Sequence, residues 1–380
     1  MKKSILLAPL VLLVGAGFWW TSTDETTTSE EGLEWVKTIA VTPDEKYSLG
    51  AFCRVNHRPE QGDFFVSFGG VSPHVPDTQD ESFRAGGKEG GNAYYYKVYN
   101  ADFEYEGGNG PLVEGGGDIA AVFAEDYYFF LTGGPQGLRL RKIDPSTWQE
   151  IASVDIAVDW AHEATNDQML AYANGQLVVS ALYNSEASEG ITDQKNTDPT
   201  KGYGTHNRIF TTDLEQVDYF ILDDTPHING SSLVFVDGVY HYITSTAFFG
   251  DVIVMQYDEE WNYLGVKTLE PHGQWSQGAV YDPSTERFYV SYLDLGETHG
   301  GNPSPDSRPN VVLGVFDKEW QLIENVQVTD FSKDDFLQAG RPSVILEDGK
   351  AYVSYDVETF DPVTREEGFD WSCEVSEFDL

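Results

Sequence analysis

His162, His227 and His272 each stand just ahead of an apolar, strand-like segment, and the segments they precede are consecutive copies of one pattern. Imidazoles brought together in this way are suited to ligating a transition metal or moving protons near neutral pH. Asp118, Glu163 and Asp167 fall at corresponding places, where a pair of carboxylates would serve glycoside cleavage and a set would hold calcium. The candidate catalytic groups are therefore His162, His227 and Glu163. Candidate ligands of a divalent cation, calcium or a transition metal, are His162, His227, His272, Asp118 and Asp167. Trp275, Arg341, His272 and His206 are candidate substrate contacts, with the Trp275 indole as a stacking face for a sugar ring. A plainer reading stands beside each: polar loops collect histidine, inner-strand carboxylates hydrogen-bond neighbouring strands, and a tryptophan packs between sheets. No His-Glu-x-x-His, nucleophile elbow, phosphate loop or Cys-x-x-Cys-His occurs, so the chemistries those motifs carry are not indicated.

What must position these residues is a repeat of four short strands. The first hairpin of the unit spans 170–180, 233–244 and 344–354, around Asn174-Gly175, Asp237-Gly238 and Asp348-Gly349. Those dipeptides supply the positive φ needed at both central positions of a two-residue type I′ turn. Copies with other turns run over 121–132 and 279–291, and a more divergent one over 47–68. The second hairpin is expected to turn at Asn100–Phe103, Asp144–Trp148, Asp213–Gln216, Asp258–Trp261 and Asp317–Trp320. There the Asn or Asp bonds its own turn, and the aromatic packs between neighbouring units. Six such units predict an all-β fold: a six-bladed β-propeller of four-stranded antiparallel blades over residues 33–380.

The second hairpin of the sixth unit begins at Glu377-Phe378-Asp379, where the sequence stops, leaving that unit one strand short. Glu34–Ile39 resembles Leu264–Leu269, the outer strand of the fourth unit, and is expected to supply the missing strand and close the ring. Cys53 and Cys373 then fall on neighbouring blades, where they would form a bridge across the closure or remain two buried thiols. Alternating connections in an antiparallel meander place the long segments 69–92, 184–206, 295–310 and 358–370 at one end of the ring. Six of the eight histidines fall at that end, His162, His227 and His272 before inner strands and His74, His206 and His299 in the long loops. Length variation confined to one end predicts the binding face.

The repeat resembles the six-bladed β-propeller superfamily. Pro226-His227-Ile228 and Pro271-His272-Gly273 resemble the Pro-His-Gly step of calcium-dependent lactonases of the paraoxonase type. That resemblance implies calcium in the channel and His-assisted hydrolysis, with Asn166-Asp167 the pair that suggests its ligands.

Lys2 and Lys3 followed by the apolar run Ile5–Trp20 predict, over residues 1–20, a signal peptide or an N-terminal membrane anchor. Residues 21–32, rich in Thr, Ser and Glu, read as a flexible acidic tether. An extracellular or periplasmic location follows, with membrane contact only through that anchor. Sixty-three acidic against 23 basic residues give a formal charge of −40, which repels nucleic acid and anionic lipid. The functions expected are a metal-assisted carbohydrate-active hydrolase or lyase, for which neutral glycans suit the charge, or a lactonase-like hydrolase acting on another small extracellular ligand. The alternative is a non-catalytic propeller that binds a protein partner through its long loops.

Overall fold

The computed structural model describes residues 32–42, 53–58, 61–72, 91–108, 111–114, 119–134, 137–158, 168–184, 203–222, 231–246, 250–270, 273–296, 298–299, 302–303, 308–332, 337–359 and 370–380. The chain divides between Gly32 and Leu33, and the blades lie within Leu33–Leu380.

The first strand, β1 (Glu34–Ala40), belongs to the last sheet. Blade one is β2 (Arg54–Arg58), β3 (Asp63–Ser72), β4 (Gly91–Tyr99) and a broken outer strand, β5 (Tyr105–Gly107) and β6 (Pro111–Glu114). Blade two is β7 (Ile119–Ala124), β8 (Tyr127–Gly134), β9 (Gly137–Asp144) and β10 (Gln149–Ile156). Blade three is β11 (Met169–Ala173), β12 (Gln176–Asn184), β13 (Tyr203–Phe210) and β14 (Gln216–Leu222). Blade four is β15 (Ser232–Val236), β16 (Val239–Ser245), β17 (Val252–Tyr257) and β18 (Tyr263–Glu270). Blade five is β19 (Gly273–Asp282), β20 (Arg287–Asp294), β23 (Asn310–Phe316) and β24 (Leu322–Gln327), with a small hairpin of β21 (Thr298–His299) and β22 (Asn302–Pro303) inserted at its centre. Blade six is β25 (Leu337–Glu347), β26 (Lys350–Thr359) and β27 (Asp370–Asp379), completed by β1.

Each inner strand touches the inner strand of the next blade, β2 to β7, β11, β15, β19 and β25 in turn, and β25 touches β2 again. The six sheets therefore form a closed ring. Closure follows the sequence expectation: β1 runs antiparallel to β27 from Glu34 opposite Asp379 to Ala40 opposite Glu374. Cys53 and Cys373 are joined in a disulfide, Cα to Cα 5.3 Å, linking the start of blade one to β27. Thr42 Oγ1 accepts from the Cys373 amide at 2.9 Å, and the Val41 amide donates to the Cys373 carbonyl at 2.8 Å, so the chain leaving β1 is held at the same seam.

Buried apolar side chains gather in six clusters, one at each seam between neighbouring blades. A middle strand is covered on both faces, which is why β8 and β20 carry near-continuous apolar runs, whereas outer strands such as β10 and β24 alternate exposed with half-buried positions. Type I′ turns occur where Asn-Gly and Asp-Gly predict them, with Asn174, Asp237 and Asp348 at φ of 50°, 52° and 48°.

The second hairpins hold a less obvious regularity. Phe103, Trp148, Leu214, Trp261 and Trp320 all lie at φ between 56° and 65°, each donating its amide back to the residue that opens the turn. A bulky side chain in the left-handed region is uncommon and strained. Here the bend turns the ring into a seam: Trp148 stacks on Phe65 of blade one at 4.5 Å, and Trp261 meets Phe220 of blade three at 4.9 Å. Blade three corrects the sequence expectation, because its turn opens at Thr211 and not at Asp213. The Thr211 hydroxyl accepts from the Glu215 amide at 3.2 Å, as the Asp carboxylate does in other blades, and Leu214 takes the aromatic position.

Candidate functional site

Strand direction sets the polarity of the ring. Every inner strand enters from the preceding blade and leaves through the first-hairpin turn, so its first residues lie at the end that also carries the connections between second and third strands. Those connections run from Ser72 to Gly91, Asn184 to Tyr203, Asp294 to Asn310 and Thr359 to Asp370, against Gly134 to Gly137 in blade two.

At this end two adjacent inner strands depart from regular pairing. In β19, Gln274 pairs with Leu293 and Gly278 with Ser291, so residues 275–277 oppose a single residue of β20. In β25, Gly340 pairs with Asp356 and Ser343 with Ser354, so Arg341 and Pro342 oppose Tyr355 alone. Pro342 has no amide hydrogen to offer the ladder, which is a local reason for the second bulge. Beyond both bulges the hairpins resume, so the inner edges of blades five and six reach further toward the loop-bearing end. The strands meet closely just below: a Cβ on Gly278 would stand 2.6 Å from the Ser343 Cα and closer still to the Val344 nitrogen.

Arg341 sits at the second bulge with φ of 46°, the strained region for a residue with a side chain. Its guanidinium donates to Asp356 Oδ2 at 3.2 Å, and the fully buried Asp356 accepts the Cys53 amide on Oδ1 at 2.9 Å. Arg54, at the start of β2, donates through Nη1 to the carbonyls of Cys53 at 2.8 Å and Arg341 at 3.1 Å. Burial lowers the Arg54 pKa to about 10, with the Arg341 charge adding to the effect and Asp356 opposing it, so the group stays cationic at neutral pH. Blades six and one are thus joined at the loop-bearing end by two guanidiniums, one carboxylate and the disulfide. Further out, Gln338 hydrogen-bonds the buried Glu358.

Asp118, His162, Glu163, Asp167, His227 and His272 lie outside the described residues, as does His74. Trp275 lies within the β19 bulge, beside the β25 bulge that holds Arg341. Arg341 is expected at the start of its inner strand or just before it, but it lies within β25, because the strand extends four residues beyond it to Leu337. His206 belongs to strand β13 and not to a long loop: it is 4% exposed, and its Nδ1 lies 2.5 Å from the Tyr219 hydroxyl. His299 pairs with Asn302 in the small blade-five hairpin. Among the described residues no three of His, Cys, Asp or Glu come together as a metal site. Sequence reasoning missed Arg54 and Asp356, since nothing local marks either; the Gly340-Arg341-Pro342 break in the strand pattern was the available signal for the bulge.

No family model matches the sequence, and no curated protein does. Solved structures similar in fold include a luciferin-regenerating enzyme, at TM-score 0.49 and 10% identity over 90% of this chain and 95% of that one. Hydrazine synthase of Kuenenia stuttgartiensis is similar at TM-score 0.45 and 11% identity over 86% and 81%. The xylan β-1,4-xylosidase of Bacillus halodurans C-125 is similar at TM-score 0.42 and 14% identity over 68% of this chain, which spans about half (52%) of that one. At these identities and scores none of them bears on the chemistry of this chain.

Proposed function

We propose that the protein binds a glycan-class ligand at the loop-bearing end of its channel and acts on it as a hydrolase or lyase. The paired bulges of β19 and β25 carry this reading. Bulges re-aim side chains and concentrate beside binding sites, and a strained Arg341 is kept only where the surroundings over-determine it. In this reading Arg341 hydrogen-bonds the ligand and Trp275 stacks on a sugar ring. His162, His227 and Glu163 supply acid and base, and a divalent cation held by His162, His227, His272, Asp118 and Asp167 assists.

The test is a panel of soluble glycans screened for binding and for product release, repeated on Arg341→Ala, Trp275→Ala, His162→Ala and His227→Ala. Loss of binding of about tenfold or more is expected for the first two, since each removes at least one ligand contact of about 1.4 kcal/mol. The histidine variants are expected to keep binding and lose turnover. Binding without turnover in the unaltered protein leaves a glycan-binding propeller and removes the catalytic assignment; no glycan bound at all overturns the reading.

A further inference from the structure

The inner strands line the channel, and their charges are distributed unevenly. Among the described residues of the six inner strands the cationic side chains are Arg54, Arg58 and Arg341. Arg58 lies at the turn end of β2, where Asp63 neutralises it in a buried ion pair and the Pro145 carbonyl takes a further hydrogen bond at 2.8 Å. The acidic residues of these strands, Asp282 and Glu347, also lie at the turn end. Of the described charged residues of these strands, Arg54 and Arg341 stand at the loop-bearing end, on adjacent strands, with the Arg54 guanidinium bonded to the Arg341 carbonyl. Asp356, from the second strand of blade six, lies between them, and Glu358, two residues further along that strand, is held by Gln338.

A formal charge of −40 argues at first for a neutral ligand. That charge is spread over the whole molecule, and at physiological ionic strength a carboxylate more than about 8 Å away is largely screened. A guanidinium in contact with the ligand is not screened, and its planar fork matches the two oxygens of a carboxylate or sulfate. The charge that Arg341 brings to a ligand in contact with it thus opposes the sign of the molecule.

We infer that the site proposed above, on which this inference rests, selects glycans bearing an anionic oxygen group, a carboxylate or a sulfate ester, through the paired positive charges of Arg54 and Arg341. Arg341 meets the anion, while Arg54 and Asp356 fix its position.

Matched pairs of probes decide the point: oligouronates beside their methyl esters, and sulfated oligosaccharides beside their desulfated forms, titrated into the full chain at low and high sodium chloride. Acidic members are expected to bind about tenfold or more tightly than their neutral partners, with affinity falling as salt rises. The carboxylate and sulfate arms tell the two sources of charge apart. Arg341→Gln should remove the preference, Arg341→Lys should restore part of it, and Arg54→Gln should weaken it, with the thermal midpoint of each variant showing that the fold is kept. Equal binding of acidic and neutral partners, or an acidic preference that survives both Arg→Gln changes, overturns this inference while leaving the glycan reading intact. Failure of every probe to bind overturns both.

Discussion

At the scale of single residues, His241 shows how a histidine can be structural. It lies in β16, 5% exposed, and its Nδ1 accepts the Trp320 indole N–H at 3.1 Å from the next blade, with the Gln256 amide 3.2 Å away. An indole only donates, so Nδ1 carries no proton and the ring is the neutral Nε2–H form. Burial, aided by the Lys267 charge, lowers its pKa to about 4. The folded value lies below the ordinary 6.5, so the unfolded chain takes up the proton first as pH falls. Stability from this group is therefore present above pH 6.5 and lost toward pH 4, by about 3 kcal/mol at most. Urea titrations across this range should show a pH slope in the parent that His241→Gln lacks; identical slopes would refute the assignment. Its partner Trp320 carries a second test, because it combines a buried indole with φ of 63°. Trp320→Ala should cost about 3–5 kcal/mol, and Trp320→Gly about 1 kcal/mol less, because glycine keeps the bend without strain. Equal stability of the two variants would mean that the left-handed bend is not maintained at position 320.

At the scale of elements, β19 and β25 are the pair to disturb. Their contact at Gly278 leaves no room for a methyl group, and the atoms in the way are backbone, which cannot swing aside. Gly278→Ala should therefore force the inner strands of blades five and six apart and destabilise by about 1–3 kcal/mol, read from the denaturation midpoint. Because the bulges lie directly above, the same variant should also weaken the ligand binding proposed for them, without touching Arg341 or Trp275. Unchanged stability would show that the two strands do not approach so closely.

At the scale of the whole molecule, closure and charge set the stability. The disulfide joins residues 320 apart in sequence. On the chain-entropy account, constraining so large a loop favours the folded state by about 5–6 kcal/mol, so Cys53→Ser with Cys373→Ser should lower the denaturation midpoint by up to a corresponding amount. The doubly substituted chain should still fold, since β1 pairs with β27 along its length. The charge of −40 opposes compaction, and raising sodium chloride toward 1 M shortens the screening length to about 3 Å. Thermal midpoints should rise with salt more steeply than with an uncharged osmolyte; a flat response would mean that the repulsion is already relieved within the fold.

The six blades, the type I′ turns and the closing strand can be read from the chain because each carries a short local pattern: an Asn-Gly between alternating apolar runs, or an outer-strand pattern repeated near the first residues of the propeller. The same locality explains its errors. Thr211 can cap a turn as Asp does, and sequence alone offers no register to show that Leu214, and not Gln216 at the end of the expected turn, takes the bend. His206 reads as a loop residue because the start of β13 depends on pairing with β12 and β14. Arg341 and Trp275 were legible as unusual residues, but only register shows that both lie within bulges on neighbouring strands. Tertiary structure alone decided that Arg54, Arg341 and Asp356 meet, because their approach depends on closing a ring between residues roughly 300 positions apart. The cysteines, which the sequence left as a bridge or two thiols, are joined for the same reason: closure brings together two chain segments that no local pattern relates.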